Sequence, residues 1–365
     1  MLPDHMKCPT GCPDRLAHEK FFEHYEDWLL KAVQAGYPKP VSQIEWYGPQ
    51  VRPAIGPSHD QKCPLLFGCR SLVREIAQGM AVVLQITADE INSRIELTCH
   101  SGVQLICQTD VHRRPNRIHF SHAFHFLCLN ISMIVLSIKT GRTNISLARA
   151  RELFQKQLSF YWEQQPLDAL LFPYFEFDMQ TYAEAAEMTF LMIAFLIGHE
   201  MAHLYVPVTN VAKTHFAGVK ENAQDFLASI PPPFLLKAPH ANWQAFWIEE
   251  LLCDALSAMS IFLVARTSGI ALERAPQLGE RSQRVRYEAM EAVTLHMEAL
   301  YRHHLFATGN PEAVLSTLFT ATHPLPNLRR VFLRGWAEQV DPSYITSARA
   351  YETALKSIAS IPGWA

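Results

Sequence analysis

The sequence lacks a dominant charge: 32 Lys and Arg residues stand against 35 Asp and Glu residues, for a formal net charge of −3. It also lacks a Lys- and Arg-rich run of the kind that follows a phosphate backbone, so no nucleic-acid partner is predicted. The first residues, MLPDHMKCPTGCPDR, contain no basic start followed by an apolar stretch and predict no secretory signal. These absences favour a cytoplasmic protein.

The sequence also lacks an uninterrupted apolar segment long enough to span a membrane. Outside residues 191–206, the longest apolar segment is FSHAFHFLCLNISMIVLSI at residues 120–138, which is interrupted by His122, His125 and Asn130. A membrane span needs about 20 consecutive, predominantly apolar residues. The segment is therefore predicted to be a buried helix, and no stable membrane insertion is expected.

Cysteine pairs separated by two residues, which are typical of structural zinc sites, are absent as well. The eight cysteines are scattered, at positions 8, 12, 63, 69, 99, 107, 128 and 253. Reduced thiols fit a long chain without a predicted signal better than disulfides do. Cys8 and Cys12 could form a structural zinc site with Cys63 and Cys69, but their spacings differ from the two-residue spacing typical of such sites. A second zinc is therefore not favoured.

Neither an internal repeat nor a low-complexity tract is present. Residues 14–37 place apolar residues at spacings of three and four and predict an amphipathic helix, which a Pro-rich stretch follows. We therefore assign residues 1–60 to an N-terminal helix and linker and residues 61–365 to one domain. Within that domain, residues 117–360 are predicted to form a helical body.

A small antiparallel sheet is predicted over residues 80–108. Three β-prone runs lie there, MAVVLQIT, RIELTC and GVQLICQ, and CHSG between the last two resembles a hairpin turn. The later periodicity is helical. Helices are predicted at residues 117–139, 147–165, 181–206, 242–266, 281–305, 311–320, 324–339 and 343–359. The predicted fold class is therefore α+β, a small antiparallel sheet with a predominantly helical body.

Residues 191–206, LMIAFLIGHEMAHLYV, form an apolar run that contains His199, Glu200 and His203. Positions four apart lie on nearly the same face of a helix, so both imidazoles can bind one zinc ion. Glu200 is one step round from His199, where its carboxylate can take a proton from water activated by the metal. This is the physical content of the HExxH pattern.

The alternative is a core helix with two tolerated histidines and a surface glutamate. The eleven residues before His199 are uncharged, however, and so are the neighbours of His203. A glutamate in such surroundings is costly to bury unless it is paired or functional. The flanks therefore favour one catalytic Zn²⁺ ion.

A catalytic zinc needs a third protein ligand and an open position for water. The metzincin arrangement would place a glycine and a third histidine where this chain has Val206 and Thr209, and it is excluded. A second helix, WIEELLCDALSAM at residues 247–259, supplies Glu250 as the ligand. Asp254, one turn later, can accept the N–H of a ligand histidine and orient it.

Glu249 is the alternative third ligand. The residue four positions after it is Cys253, which is not expected to orient a histidine, so Glu250 is favoured. Asp254 is expected to pair with His199. The other interpretation is that Glu249, Glu250 and Asp254 form a solvent-exposed acidic face. Apolar and aromatic residues cover most of the rest of this helix, which argues against that interpretation.

HExxH together with a Glu-x-x-x-Asp helix resembles the gluzincin clan of zinc peptidases. The interval between the two motifs is most similar to that of the HtpX and CAAX prenyl endopeptidase family. That family also carries Thr-His-Pro followed by an arginine early in a late helix, and ATHPLPNLRRVFL contains Thr322, His323 and Pro324. Arg329 has the matching spacing, and Arg330 is the alternative if one residue is inserted.

The resemblance covers roughly residues 190–335 and implies a zincin-like catalytic body. It also implies that His323 stabilises the oxyanion and that Arg329 supports the site. An ordinary helix start with proline in its first turn is the other interpretation of His323 and Pro324.

Two further groups of residues are weaker candidates. His119, His122 and His125 have a helical spacing, but no acidic residue lies near them, so packing is favoured over a second metal site. Tyr301 could donate a hydrogen bond to a transition state, and Tyr205 is expected to pack.

The sequence thus predicts a zinc metallopeptidase with a protein or peptide substrate, in which Glu200 is the general base and then the proton donor to the leaving amine. The alternative is a zinc-binding regulatory or scaffold protein without hydrolytic activity. Both require His199, His203 and Glu250, and only the first requires Glu200.

Overall fold

The described part of the chain is mostly helical. The computed structural model describes residues 64–100, 107–110, 115–142, 145–162, 172–173, 176–206, 217–230, 243–267, 283–308 and 324–359. Its helices are α1 Pro64–Leu84, α2 Ala88–Ser93, α3 His122–Thr140, α4 Leu147–Trp162, α5 Met179–Ala202, α6 Ala217–Ser229, α7 Trp243–Thr267, α8 Gln283–Thr308, α9 Pro326–Val340 and α10 Ser343–Ala359. Capping explains the start of α5, because Asp178 Oδ1 accepts a hydrogen bond from the Thr181 N–H at 2.8 Å.

Three strands, β1 Ile95–His100, β2 Cys107–Asp110 and β3 Asn116–Ser121, form a mixed sheet in the order β1-β3-β2. β1 and β3 are parallel, and β2 and β3 are antiparallel. The predicted antiparallel sheet is therefore wrong for one of the two strand pairs. No hairpin pairs β1 with β2, because β3 lies between them, and residues 101–102 of the predicted turn lie outside the described residues.

Two segments differ from their predicted type. Most of MAVVLQIT lies in α1, because a short apolar run does not distinguish a strand from a buried helix. Residues 117–121, predicted as helix, belong to β3, where Ile118 and Phe120 alternate toward the core and are buried. Helix α3 begins only at His122.

The helical body is present over most of its predicted helices. Six predicted helices correspond to α4, α5, α7, α8, α9 and α10, and their ends differ by a few residues. Helices α1, α2 and α6 were not predicted. The predicted helices at residues 14–37 and 311–320 lie outside the described residues, as does the N-terminal segment 1–60.

Helices α1, α5 and α7 approach one another closely in the core. A Cβ on Gly79 of α1 would lie 2.1 Å from the Ser260 carbonyl oxygen of α7, and one on Gly198 of α5 would lie 2.4 Å from Ser257 Oγ. A larger residue at Gly79 would therefore collide with the backbone of α7, and one at Gly198 would displace the Ser257 side chain. Ser257 Oγ also donates to the Phe195 carbonyl oxygen at 2.8 Å, which joins α7 to the C-terminal part of α5.

Among the described residues, one helix is long and apolar enough to cross a membrane by length and composition. It is Gln180–Ala202, and 83% of the qualifying window is buried inside the structure. Neighbouring helices of the same chain therefore cover most of its apolar surface. In the segment 120–138, residues 124–137 are buried as well.

Candidate metal centre

The C-terminal end of α5 carries the two histidines. The helix runs to Ala202, and His203 is its C-cap residue, with its N–H donating to the His199 carbonyl oxygen at 3.3 Å. The centroids of the two imidazole rings lie 4.9 Å apart. The spacing of four residues thus places both rings on one side of the helix end.

Glu250 of α7 faces both imidazoles. His199 Nε2 lies 3.2 Å from His203 Nε2 and 3.2 Å from Glu250 Oε2. Glu250 Oε1 lies 3.3 Å from His203 Nε2. Ligand atoms of the three residues all lie within 4.8 Å of one another, so the cluster could hold one metal ion. His199 and Glu250 are each 4% exposed, and a cation is the partner that such a buried set of nitrogen and oxygen donors can share.

Asp254 contacts the other ring nitrogen of His199. Its Oδ1 lies 2.8 Å from His199 Nδ1, and the residue is fully buried. Arg329 of α9 donates to both carboxylate oxygens, from Nε to Oδ2 at 2.7 Å and from Nη2 to Oδ1 at 2.5 Å. A chain of contacts from α9 through α7 to α5 therefore fixes the orientation of the His199 ring.

Glu249 lies at the Nδ1 side of the His203 ring. Its Oε1 is 3.1 Å from His203 Nδ1, whereas Glu250 faces Nε2. Cys253 is among the groups that raise the pKa of His203. Sequence reasoning missed the contact of Glu249 with His203 because it considered only an acceptor four positions after the ligand.

Thr109 of β2 contacts Glu200, the residue between the two histidines in the motif. Its Oγ1 lies 2.8 Å from the Glu200 carbonyl oxygen and 3.0 Å from Glu200 Oε2. The contact brings the sheet against the end of α5 and holds the carboxylate. The two residues are 91 positions apart, and no sequence pattern connects them.

Burial and neighbouring charges act in opposite directions on the two imidazoles. Burial lowers the pKa of His199, but Asp254 and Glu250 raise it, and the result lies above the ordinary value. Burial also opposes charge on His203, and its hydrogen-bond partners outweigh it, so its pKa is raised too. Burial raises the pKa of Glu200 despite the two nearby imidazoles. The raised pKa values mean that protons compete with a cation for these side chains.

The two arginines of the late helix have different partners. Arg329 reaches Asp254, whereas Arg330 Nη2 donates to Glu298 Oε2 at 3.1 Å and its Nη1 donates to Glu352. Arg329 is therefore the arginine at the cluster. His323 lies outside the described residues, and its role stays a prediction.

The described residues contain no second cluster that could hold a metal ion. His119 Nδ1 pairs with Thr98 Oγ1 at 2.9 Å between β3 and β1, and His125 is buried in α3. Of the four cysteines in the suggested second zinc site, three lie outside the described residues, and the side chain of the fourth is not described.

Comparison with known proteins produces no match to a family model, a curated protein or a solved structure.

Proposed function

We propose that this protein is a zinc-dependent endopeptidase. The observation that carries the proposal is that the ligand atoms of His199, His203 and Glu250 converge on one largely buried point beside Glu200. Two histidines and a glutamate, with an open fourth position, are the ligand set of some catalytic zinc sites in peptidases. The resemblance of both helix motifs to gluzincin peptidases supports the same activity.

The separations of the ligand atoms suit zinc. Bonds of about 2.0–2.1 Å at tetrahedral angles place two ligand atoms roughly 3.3 Å apart. The two Nε2 atoms lie 3.2 Å apart, and they lie 3.2 and 3.3 Å from different oxygens of the Glu250 carboxylate. Calcium and magnesium prefer shells of oxygen ligands, which two imidazoles do not provide.

Each residue of the site has a distinct role in the proposed peptide hydrolysis. Zinc, when bound, supplies Lewis acidity that polarises a carbonyl and favours deprotonation of water. Glu200 takes the proton from the attacking water and delivers it to the leaving amine nitrogen as the C–N bond breaks. The single hydroxyl hydrogen of Thr109 is shared between the Glu200 carbonyl oxygen and Oε2, so this contact engages only one of the two carboxylate oxygens. Asp254 and Arg329 keep the His199 ring aligned.

A protein or peptide substrate and a cytoplasmic location are part of this proposal. The contact of Arg329 with Asp254 agrees with the supporting role that the resemblance to the HtpX and CAAX prenyl endopeptidase family implies for that arginine.

Metal analysis combined with a digest of a peptide library tests the proposal. We expect about one zinc per chain and cleavage of some peptides from a cell-extract library. In H₂¹⁸O each new carboxyl terminus should carry ¹⁸O, because hydrolysis adds one water across the peptide bond. Cleavage should stop when 1,10-phenanthroline removes zinc and return when zinc is added.

Two results would contradict the proposal in different ways. A chain that retains zinc but cleaves nothing would support the regulatory or scaffold alternative. A chain that binds no zinc would exclude both functions.

Replacing Thr109 with valine should lower peptide hydrolysis by about tenfold, because a hydrogen bond to a charged group contributes about 1.5–3 kcal/mol, of which the reaction loses part. Zinc content should not change, since Thr109 is not a ligand. Thr109→Ser retains the hydroxyl and should restore most of the rate. Equal rates for the valine variant and the wild type would show that the contact with Glu200 has no catalytic role.

A further inference from the structure

To bind a metal through Nε2, the imidazoles of His199 and His203 must both carry their proton on Nδ1. A neutral imidazole binds a metal through one nitrogen only if its other nitrogen carries the proton, and the acceptor of that proton fixes the tautomer and the ring orientation. Both Nε2 atoms face Glu250 in this protein. Each Nδ1 therefore needs an acceptor of its own.

The acceptors of the two rings come from the same helix. His199 Nδ1 faces Asp254, and His203 Nδ1 faces Glu249, which directly precedes the third ligand Glu250. We propose that Glu249 is a positioning residue that holds the His203 ring with Nε2 directed at the metal. This inference rests on the proposed metal site and extends it to a residue that the motif does not include.

The geometry argues against Glu249 as the metal ligand itself. Its oxygen contacts Nδ1 at 3.1 Å, whereas the atoms that converge on the metal position are His203 Nε2, His199 Nε2 and the Glu250 carboxylate. The two carboxylates thus meet opposite edges of the same ring. An exchange of roles would require the ring to turn over.

The support of the two rings is unequal. Asp254 is fully buried and is held by Arg329, so the His199 ring is fixed from two further helices. The Glu249 side chain is 35% exposed, and that of His203 is 18% exposed. Among the described contacts of His203 Nδ1, the acceptor is the Glu249 carboxylate. The His203 ring therefore depends on Glu249 for its strong acceptor.

Three substitutions of Glu249 distinguish the effect of the position of its side-chain oxygen from the effect of its negative charge. Glu249→Gln keeps an oxygen at the same distance but removes the charge. Glu249→Asp keeps the charge but withdraws the oxygen by one methylene group, and Glu249→Ala removes both. Glu338→Gln, which changes an exposed glutamate on α9, is the matched control for the loss of a charge.

The measurement is Zn²⁺ affinity of the full chain, by competition with a chelating dye, together with the absorption spectrum of the Co²⁺ form. We expect Glu249→Ala and Glu249→Asp to bind zinc about 10–100-fold more weakly, which is typical for the loss of a residue that orients a ligand. Glu249→Gln and Glu338→Gln should stay close to the wild type. The Co²⁺ spectrum should change in the alanine and aspartate variants only.

Several outcomes overturn the inference. Wild-type affinity in Glu249→Ala would show that His203 needs no positioning residue. Normal affinity in the aspartate variant with weak binding in the glutamine variant would show that only charge matters. Loss of the metal in Glu249→Ala but not in Glu250→Ala would reverse the ligand assignment. If the wild type binds no zinc, the proposed function itself fails, so the two failures are distinguishable. Circular dichroism of the metal-free variants checks that each is folded.

Discussion

Glu200→Gln is expected to lower peptide hydrolysis by a factor of about 10²–10⁴, the usual contribution of a general acid–base group. Glutamine has nearly the shape of glutamate, and its carbonyl oxygen can still accept the Thr109 hydroxyl, so the local structure should persist. It cannot take up a proton from water at neutral pH. Zinc content should remain about one per chain, because His199, His203 and Glu250 are unchanged.

The experiment compares cleavage of the peptide library and zinc content in the two proteins. Glu184→Gln is the matched control, because it makes the same change near the start of α5, where the carboxylate pairs with Arg142 at the surface. That variant should keep full activity. An active Glu200→Gln protein would rule out the mechanism, whereas loss of zinc in it would mean that the glutamine disturbs the cluster.

Arg329→Met is expected to destabilise the metal-free protein by about 3–5 kcal/mol, the usual cost of removing one partner from a buried ion pair. Asp254 is fully buried, and Arg329 donates to both of its oxygens. Burial alone would raise the pKa of Asp254, but the guanidinium outweighs it, and the pKa lies below its ordinary value. The pair therefore stabilises the protein at neutral pH and loses its effect only in acid.

Urea unfolding in the presence of a chelator measures this effect without a contribution from metal binding. Arg149→Met is the control, because its pairs with Glu176 and Glu152 lie at the surface, and the change should cost at most about 1 kcal/mol. A double variant with Arg329→Met and Asp254→Leu should regain most of the loss, since no charge is left unpaired. A loss below 1 kcal/mol in Arg329→Met would contradict the account.

Much of the candidate site follows from spacing within single helices. His199 and His203 share a face of α5, and Glu250 and Asp254 share a face of α7, because residues four apart are neighbours on any α-helix. Nothing in this relation depends on the rest of the chain. The pattern could therefore predict which nitrogen and oxygen donors belong together before any contact between the helices was known.

Strand pairing in the sheet was not predicted correctly from spacing along the chain. β1 and β2 follow each other in the chain, yet β3 lies between them, so the predicted hairpin does not form. Strand pairing depends on non-local contacts, and a short apolar run such as MAVVLQIT satisfies either a strand or a buried helix. This error affects the site, because the actual sheet brings Thr109 to Glu200.

The sequence by itself determined which groups could bind a metal: two imidazoles, a nearby glutamate and the carboxylates of a second helix. Within each helix these residues are close in the sequence, so helical periodicity alone places them near one another. Only the tertiary structure decided how they are used. It placed Glu250 at both Nε2 atoms and Glu249 at the Nδ1 of His203, and it selected Arg329 over Arg330. The physical reason is that helical periodicity arises from hydrogen bonds within a few residues, whereas the meeting of α5, α7, α9 and β2 depends on packing throughout the core.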